Sequence, residues 1–183
     1  NIYAKTHNYE PLRDYYKHKT CELTKEKIID SVLRITDPLP VTPSAAIHES
    51  ISLKNSINFS QTESHCSNMA IGNDLIMNYY PVFENQKTYF KNKSLVNLWG
   101  GEDSITIQTS NGKLLSFCYL QALIDLIEEF DYKPKKEHLR KINHKIFVNN
   151  LRANYLRDLK KFKKTKAFKP LLSWSETLKH LKR

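Results

Sequence analysis

The chain has 183 residues, 40% of them hydrophobic, only four of them glycine, and a formal net charge of +10. That hydrophobic content excludes a chain disordered throughout, and no apolar run reaches the roughly 18 residues of a membrane-spanning helix. Four glycines leave little room for a phosphate-cradling loop or a dinucleotide fingerprint.

The charge is unevenly spread. Residues 133–183 hold 17 Lys and Arg against Glu137, Asp158 and Glu176, a surplus of 14. Residues 1–132 hold 12 basic against 16 acidic side chains. One end of the chain is therefore expected to meet a polyanion and the other is not. The three cysteines (Cys21, Cys66 and Cys118) are odd in number and far apart, which fits a reducing compartment rather than a disulfide framework. The opening residues lack a signal-peptide apolar stretch, so an intracellular setting is expected, nuclear if the source is eukaryotic.

In chain order, residues 1–22 mix tyrosines with Lys, His and Arg and show no clean periodicity. A helix is predicted over about 24–35, capped by Thr24 and striped by Ile28, Ile29, Val32, Leu33 and Ile35. Asp37-Pro38 stops it. Residues 36–68 carry three prolines and then Ser, Thr and Asn with single apolar residues, which reads as a linker or long surface loop. Thr42 and Ser60 there are candidate phosphorylation sites, against the plainer reading of an exposed polar loop. A short helix from Met69 is predicted to end at Pro81. Strand-like pieces follow at Thr88–Phe90 and Leu95–Leu98.

Asn111-Gly112 lies between two runs of mixed apolar and polar residues and predicts a type I′ β-hairpin. Leu120–Phe130 predicts an amphipathic helix with Leu120, Leu123, Ile124, Ile127 and Phe130 inward and Asp125, Glu128 and Glu129 elsewhere. A basic helix is predicted over about 136–164. Its apolar phase switches: Leu139, Ile142 and Ile146 share one face, and Val148, Leu151, Tyr155, Leu159 and Phe162 share another, roughly opposite. The switch falls near Asn149-Asn150, so the helix either breaks there or offers a new face to a partner. The expected fold class is α+β: a small antiparallel sheet centred on the hairpin, packed by several helices, with a basic helical C-terminal region. The expected organisation is an N-terminal segment with its helix (1–35), the linker (36–68), an α+β core (69–132) and the basic region (133–183).

The candidate phosphate contacts are Lys135, Lys136, Arg140, Lys141, Lys145, Arg152, Arg157, Lys160, Lys161, Lys163, Lys164, Lys166 and Lys169, interleaved with aromatics that suit stacking on bases. The acids near Asp125–Asp131 are too few to cancel them. An acidic protein surface, a nuclear-import receptor or an anionic membrane would accept the same charge. Val148, Leu151, Tyr155, Leu159 and Phe162 are the candidate partner face. His7, His18 and Cys21, and the pair His65-Cys66, lack the tight ligand pairs of a zinc site. No metal, cofactor or catalytic set is expected. The expected function is a non-enzymatic nucleic-acid-associated module of a larger assembly. The alternatives are a scaffold subunit docking an acidic partner through its two-faced helix, and an enzyme with a dispersed site.

Overall fold

The computed structural model describes residues 2–3, 11–13, 19–36, 39, 46–64, 72–91, 98–99 and 112–155, with side chains described in 19–36, 39, 46–64, 72–91 and 116–149. Among these are five helices and two small sheets, an α+β arrangement. The helices are α1 (Lys25–Val32), α2 (Ser50–Thr62), α3 (Asn73–Phe83), α4 (Gly112–Glu129) and α5 (Lys136–Tyr155). In one sheet β1 (Ile2–Tyr3) runs antiparallel to β2 (Pro11–Arg13) and parallel to β5 (Leu98–Trp99). In the other, β3 (Cys21–Leu23) pairs antiparallel with β4 (Thr88–Phe90), Cys21 opposite Phe90 and Leu23 opposite Thr88. Alternation is visible there: Leu23 and Phe90 turn into the core while Glu22 and Tyr89 face water.

α4 is the centre of the core. From Phe117 to Ile127 every residue except the half-buried Tyr119 is buried. A helix enclosed on all sides carries no amphipathic stripe, and that overturns two expectations. Gly112 opens a helix, so the hairpin proposed at Asn111-Gly112 does not form. Asn and Gly are favoured just ahead of helices as well as in tight turns, which makes the dipeptide ambiguous. The strand read into Lys113–Tyr119 is the first part of α4, and the run 105–110 lies outside the described residues. Asp125 is not solvated but 4% exposed.

The stretch read as a linker contains α2, packed on α3. Its buried stripe is Ser52, Ser56, Phe59 and Ser60. Ser56 and Ser60 donate to the Leu53 and Ile57 carbonyls at 2.8 and 2.9 Å, and Ser52 donates to Glu84 Oε2 at 3.2 Å. Small side chains that satisfy their own hydroxyls can face a core, while Ile51 points to water. A pattern search keyed to large apolar residues finds no helix here. Ser60 is buried, so it is not an exposed phosphorylation site; Thr42 lies outside the described residues.

α1 follows its expectation at its start, with Thr24 Oγ1 accepting from the Lys27 N–H at 3.3 Å and Ile28 and Ile29 fully buried. But it ends at Val32, and Ile35, read into the inward stripe, is exposed because the chain has turned left-handed at Arg34. α3 continues through Pro81 to Phe83. Proline forfeits one hydrogen bond there, but its φ is helical, and Val82 and Phe83 gain full burial. Three helices end alike. The residue after the C-cap is left-handed: Arg34, Asn85 and Asp131, with φ of 57°, 67° and 42°. The next N–H reaches back five residues: Ile35 to Asp30, Gln86 to Pro81, Tyr132 to Ile127. Glycine usually fills that position because it has no Cβ to clash. In this glycine-poor chain, ordinary residues take it, at a cost of about 1 kcal/mol each.

Candidate nucleic-acid interface

α5 is held to the body along one stripe. Ile142 and Ile146 belong to the core and Leu139 is half-buried, as the helical phase predicts. His138 Nε2 lies 2.9 Å from Asp30 Oδ1 of α1, with the ring 4% exposed. Asn143, fully buried, donates to the Leu139 carbonyl at 2.8 Å. The His138–Asp30 contact crosses to α1 and so fixes the rotation of α5 about its axis, whereas the Asn143 bond stays within α5.

The outer side of α5 carries Lys136, Glu137, Lys141 and His144, all exposed. Lys135 precedes the helix and is exposed; Arg140 is half-buried. Of the candidate phosphate contacts, the structure therefore brings Lys135, Lys136, Arg140 and Lys141 onto one helix and its lead-in. Lys145 has a different position. It is half-buried, and its ammonium donates to the Val32 carbonyl at 3.2 Å, capping the C-terminal end of α1. Burial first, then the Arg34 and Lys141 charges, hold its pKa below the usual lysine value. Arg152 lies within α5, whose backbone runs unbroken past Asn149-Asn150 to Tyr155. Arg157, Lys160, Lys161, Lys163, Lys164, Lys166 and Lys169 lie outside the described residues, as do Leu159 and Phe162 of the partner face. Val148 is half-buried. Helical stepping sets positions 148, 151 and 155 on the side of Lys141 and His144, opposite Ile142 and Ile146.

Three carboxylates at the ends of α2, α3 and α4, Glu63, Glu84 and Glu129, act together on Tyr80. Tyr80 packs on Phe59 and Phe130, with ring centroids 5.7 and 4.9 Å away. Burial and the charges of Glu129, Glu84 and Glu63 push its hydroxyl pKa up. Burial, reinforced by Glu63, also raises Glu129. Close by, Lys25 donates to Asn85 Oδ1 at 2.7 Å and sits 5.2 Å from the Tyr132 ring centroid. The Tyr132 hydroxyl donates to Glu26 Oε1 at 2.8 Å. The two signs also meet: the Lys135 charge helps to lower the Glu26 pKa, so the basic lead-in of α5 lies by the start of α1.

Three polar features escaped the sequence reading. The Asp30–His138 pair joins residues 108 apart. Asp125 accepts from Ser64 Oγ at 2.6 Å and Gln121 Nε2 at 2.8 Å, deep in the core. Arg34 adds a cation to the α5 side. None of the three left a local signal: Arg34 fell inside the helix predicted over about 24–35, which stops earlier, at Val32. The buried Cys118 thiol is pushed up to about 12 by desolvation, which makes it an inert core residue rather than a nucleophile. Cys21 is half-buried on β3, and the rest of the loose His/Cys sets lies outside the described residues. Among the described residues no group of three His, Cys, Asp or Glu is placed to hold a metal ion, and no helix is long and apolar enough to cross a membrane.

No family model, curated protein or solved structure matches the chain.

Proposed function

We propose that the chain is a non-enzymatic, nucleic-acid-associated module that engages the phosphate backbone through the outer side of α5 and the basic tract following it. The observation that carries this is the segregation of charge. Residues 133–183 have a basic surplus of 14 while residues 1–132 have an acidic excess of four, and three of the described acids, Glu63, Glu84 and Glu129, act together on Tyr80. Cations on an exposed helix displace counterions from a polyanion, a gain that does not depend on base sequence. In a eukaryotic cell such a module belongs in the nucleus, as part of a larger assembly.

The test is binding of the full chain to duplex DNA, single strands and RNA at two salt concentrations. Binding should be strong at low salt and fall steeply as salt rises. Replacing Lys160, Lys161, Lys163 and Lys164 with Ala should weaken all complexes alike and flatten the slope by up to about 0.9 per lost duplex contact. Unchanged affinity and slope in that variant would remove the basic tract from the interface.

A second reading draws on one observation: α5 does not break at Asn149-Asn150. Positions 148, 151 and 155 continue on the side away from the core, so a protein partner or second copy docking there is the alternative. Leu151→Asp with Leu159→Asp should then abolish association and leave the melting of the core unchanged. Cooperative unfolding of the whole chain in that double variant would argue against a separate docking face.

A further inference from the structure

The end of α1 holds a cation that its fold does not require. Its helix stop uses the left-handed backbone of Arg34: the Arg34 N–H reaches the Ser31 carbonyl at 3.0 Å and the Ile35 N–H reaches the Asp30 carbonyl at 2.8 Å. Glycine would meet that backbone without a Cβ clash. The guanidinium contributes nothing to the stop. It is exposed and makes no ion pair among the described residues.

α5 brings two more cations to the same turn. Lys145 is anchored on the Val32 carbonyl at 3.2 Å. An ammonium has three donors, so this contact leaves others for a ligand. Lys141 lies one turn earlier on α5 and is exposed. Arg34 follows two residues after the Val32 carbonyl that Lys145 caps, and the Arg34 and Lys141 charges both act on Lys145, so three positive charges share this turn, on two elements that His138 and Asp30 join. The opposing groups are the Val32 carbonyl, at the negative end of α1, Asp30, whose Oδ1 is engaged by His138, and Glu137, exposed one turn before Lys141 on α5.

We propose that Arg34, Lys141 and Lys145 form a binding site for a phosphate group at the C-terminal end of α1. The planar guanidinium can take two phosphate oxygens at once, and the two ammonium groups act as point charges on the remaining ones. The same chemistry is met in a nucleic-acid backbone phosphate and in a free phosphoanion. The inference rests on the nucleic-acid reading and deepens it by placing a contact outside the basic C-terminal block, but pyrophosphate tests it independently.

The experiment uses the full chain as wild type, Arg34→Gly, Lys141→Gln and the α2 control Lys54→Gln. Each is measured against a short DNA duplex across a salt series. Pyrophosphate is followed through the Arg34 Nε resonance. Arg34→Gly removes the guanidinium and relieves the left-handed turn, so it should melt higher than wild type while binding duplex more weakly. A lost phosphate contact should cost about eight-fold in affinity at about 0.1 M salt and flatten the slope by about 0.9. Lys141→Gln should weaken binding comparably, and Lys54→Gln should match wild type. If duplex binds but both site variants behave like wild type, the site is wrong and the nucleic-acid reading stands. If duplex does not bind but pyrophosphate moves the Arg34 signal, with its binding weakened in Lys141→Gln, the site stands and that reading falls. If neither ligand binds, both fall.

Discussion

α4 and α5 are the two longest helices of the described chain, 18 and 20 residues, and they follow one another in sequence. α4 is wrapped by protein along most of its length and buries even Gln121 and Asp125. α5 touches the body through one stripe and leaves Lys136, Lys141 and His144 in water. The difference is one of solvent. An enclosed helix is selected for volume and for satisfied polar groups; a one-sided helix keeps a face free for charge. Stability should therefore concentrate in α4 and recognition in α5.

That division can be broken most severely at Leu123. It is fully buried in α4, so Leu123→Ala should cost about 3 kcal/mol through lost burial and the cavity left behind. Lys141→Ala on the exposed side of α5 should stay within about 0.5 kcal/mol of wild type. Denaturant titrations of the two variants check the contrast, and comparable losses would dissolve it. A smaller effect should come from Asp125→Ala. It removes the carboxylate that accepts from the Ser64 hydroxyl and the Gln121 amide in the core and should cost about 2 kcal/mol. Asp125→Asn keeps an accepting oxygen and should cost less. Neutral behaviour of Asp125→Ala would mean that α4 is open to water at this turn.

The same contrast explains what the sequence could and could not reveal. α1 was legible because one face is buried and Thr24 caps it. The inward stripe of α5 was legible for the same reason, and so was β4, with Phe90 in and Tyr89 out. α4 was legible only in its second half. Where Phe117 and Cys118 are buried alongside their neighbours, helical periodicity vanishes and a short apolar run looks like a strand. α2 was invisible because its core-facing stripe is made of serines, whose hydroxyls bond to their own helix or to Glu84. The Asp30–His138 and Ser64–Asp125 pairs join residues 108 and 61 apart, and no local rule reaches that far. Of the candidate site, the exposed lysines of α5 were legible from composition. The capping role of Lys145 was not, because it depends on where α1 ends in space.

The smallest expected effect lies at the start of α1. The Tyr132 hydroxyl, followed by backbone hydrogen bonding, holds the Glu26 carboxyl below its usual range. A depressed native pKa contributes stability above the unfolded value of about 4.3, and that stability is lost as pH falls through the native pKa. Tyr132→Phe should shrink this acid-sensitive contribution by less than about 1 kcal/mol, because Glu26 is partly solvated. Melting profiles from neutral pH downward should therefore converge for variant and wild type at the acid end. A constant gap at every pH would assign the effect to ring packing instead.

On the proposed function, recognition belongs to the cationic side formed by α5 and the end of α1, apart from the α2–α4 body. The most direct measurement is a map of backbone amide shifts in the full chain as a short DNA duplex is added at low salt. The account predicts that the largest changes among the described residues fall on Lys135–Lys145 and on Arg34 and Ile35, while α2, α3 and the buried turns of α4 stay where they were. Changes centred on α2 and α3, with α5 unmoved, would contradict it.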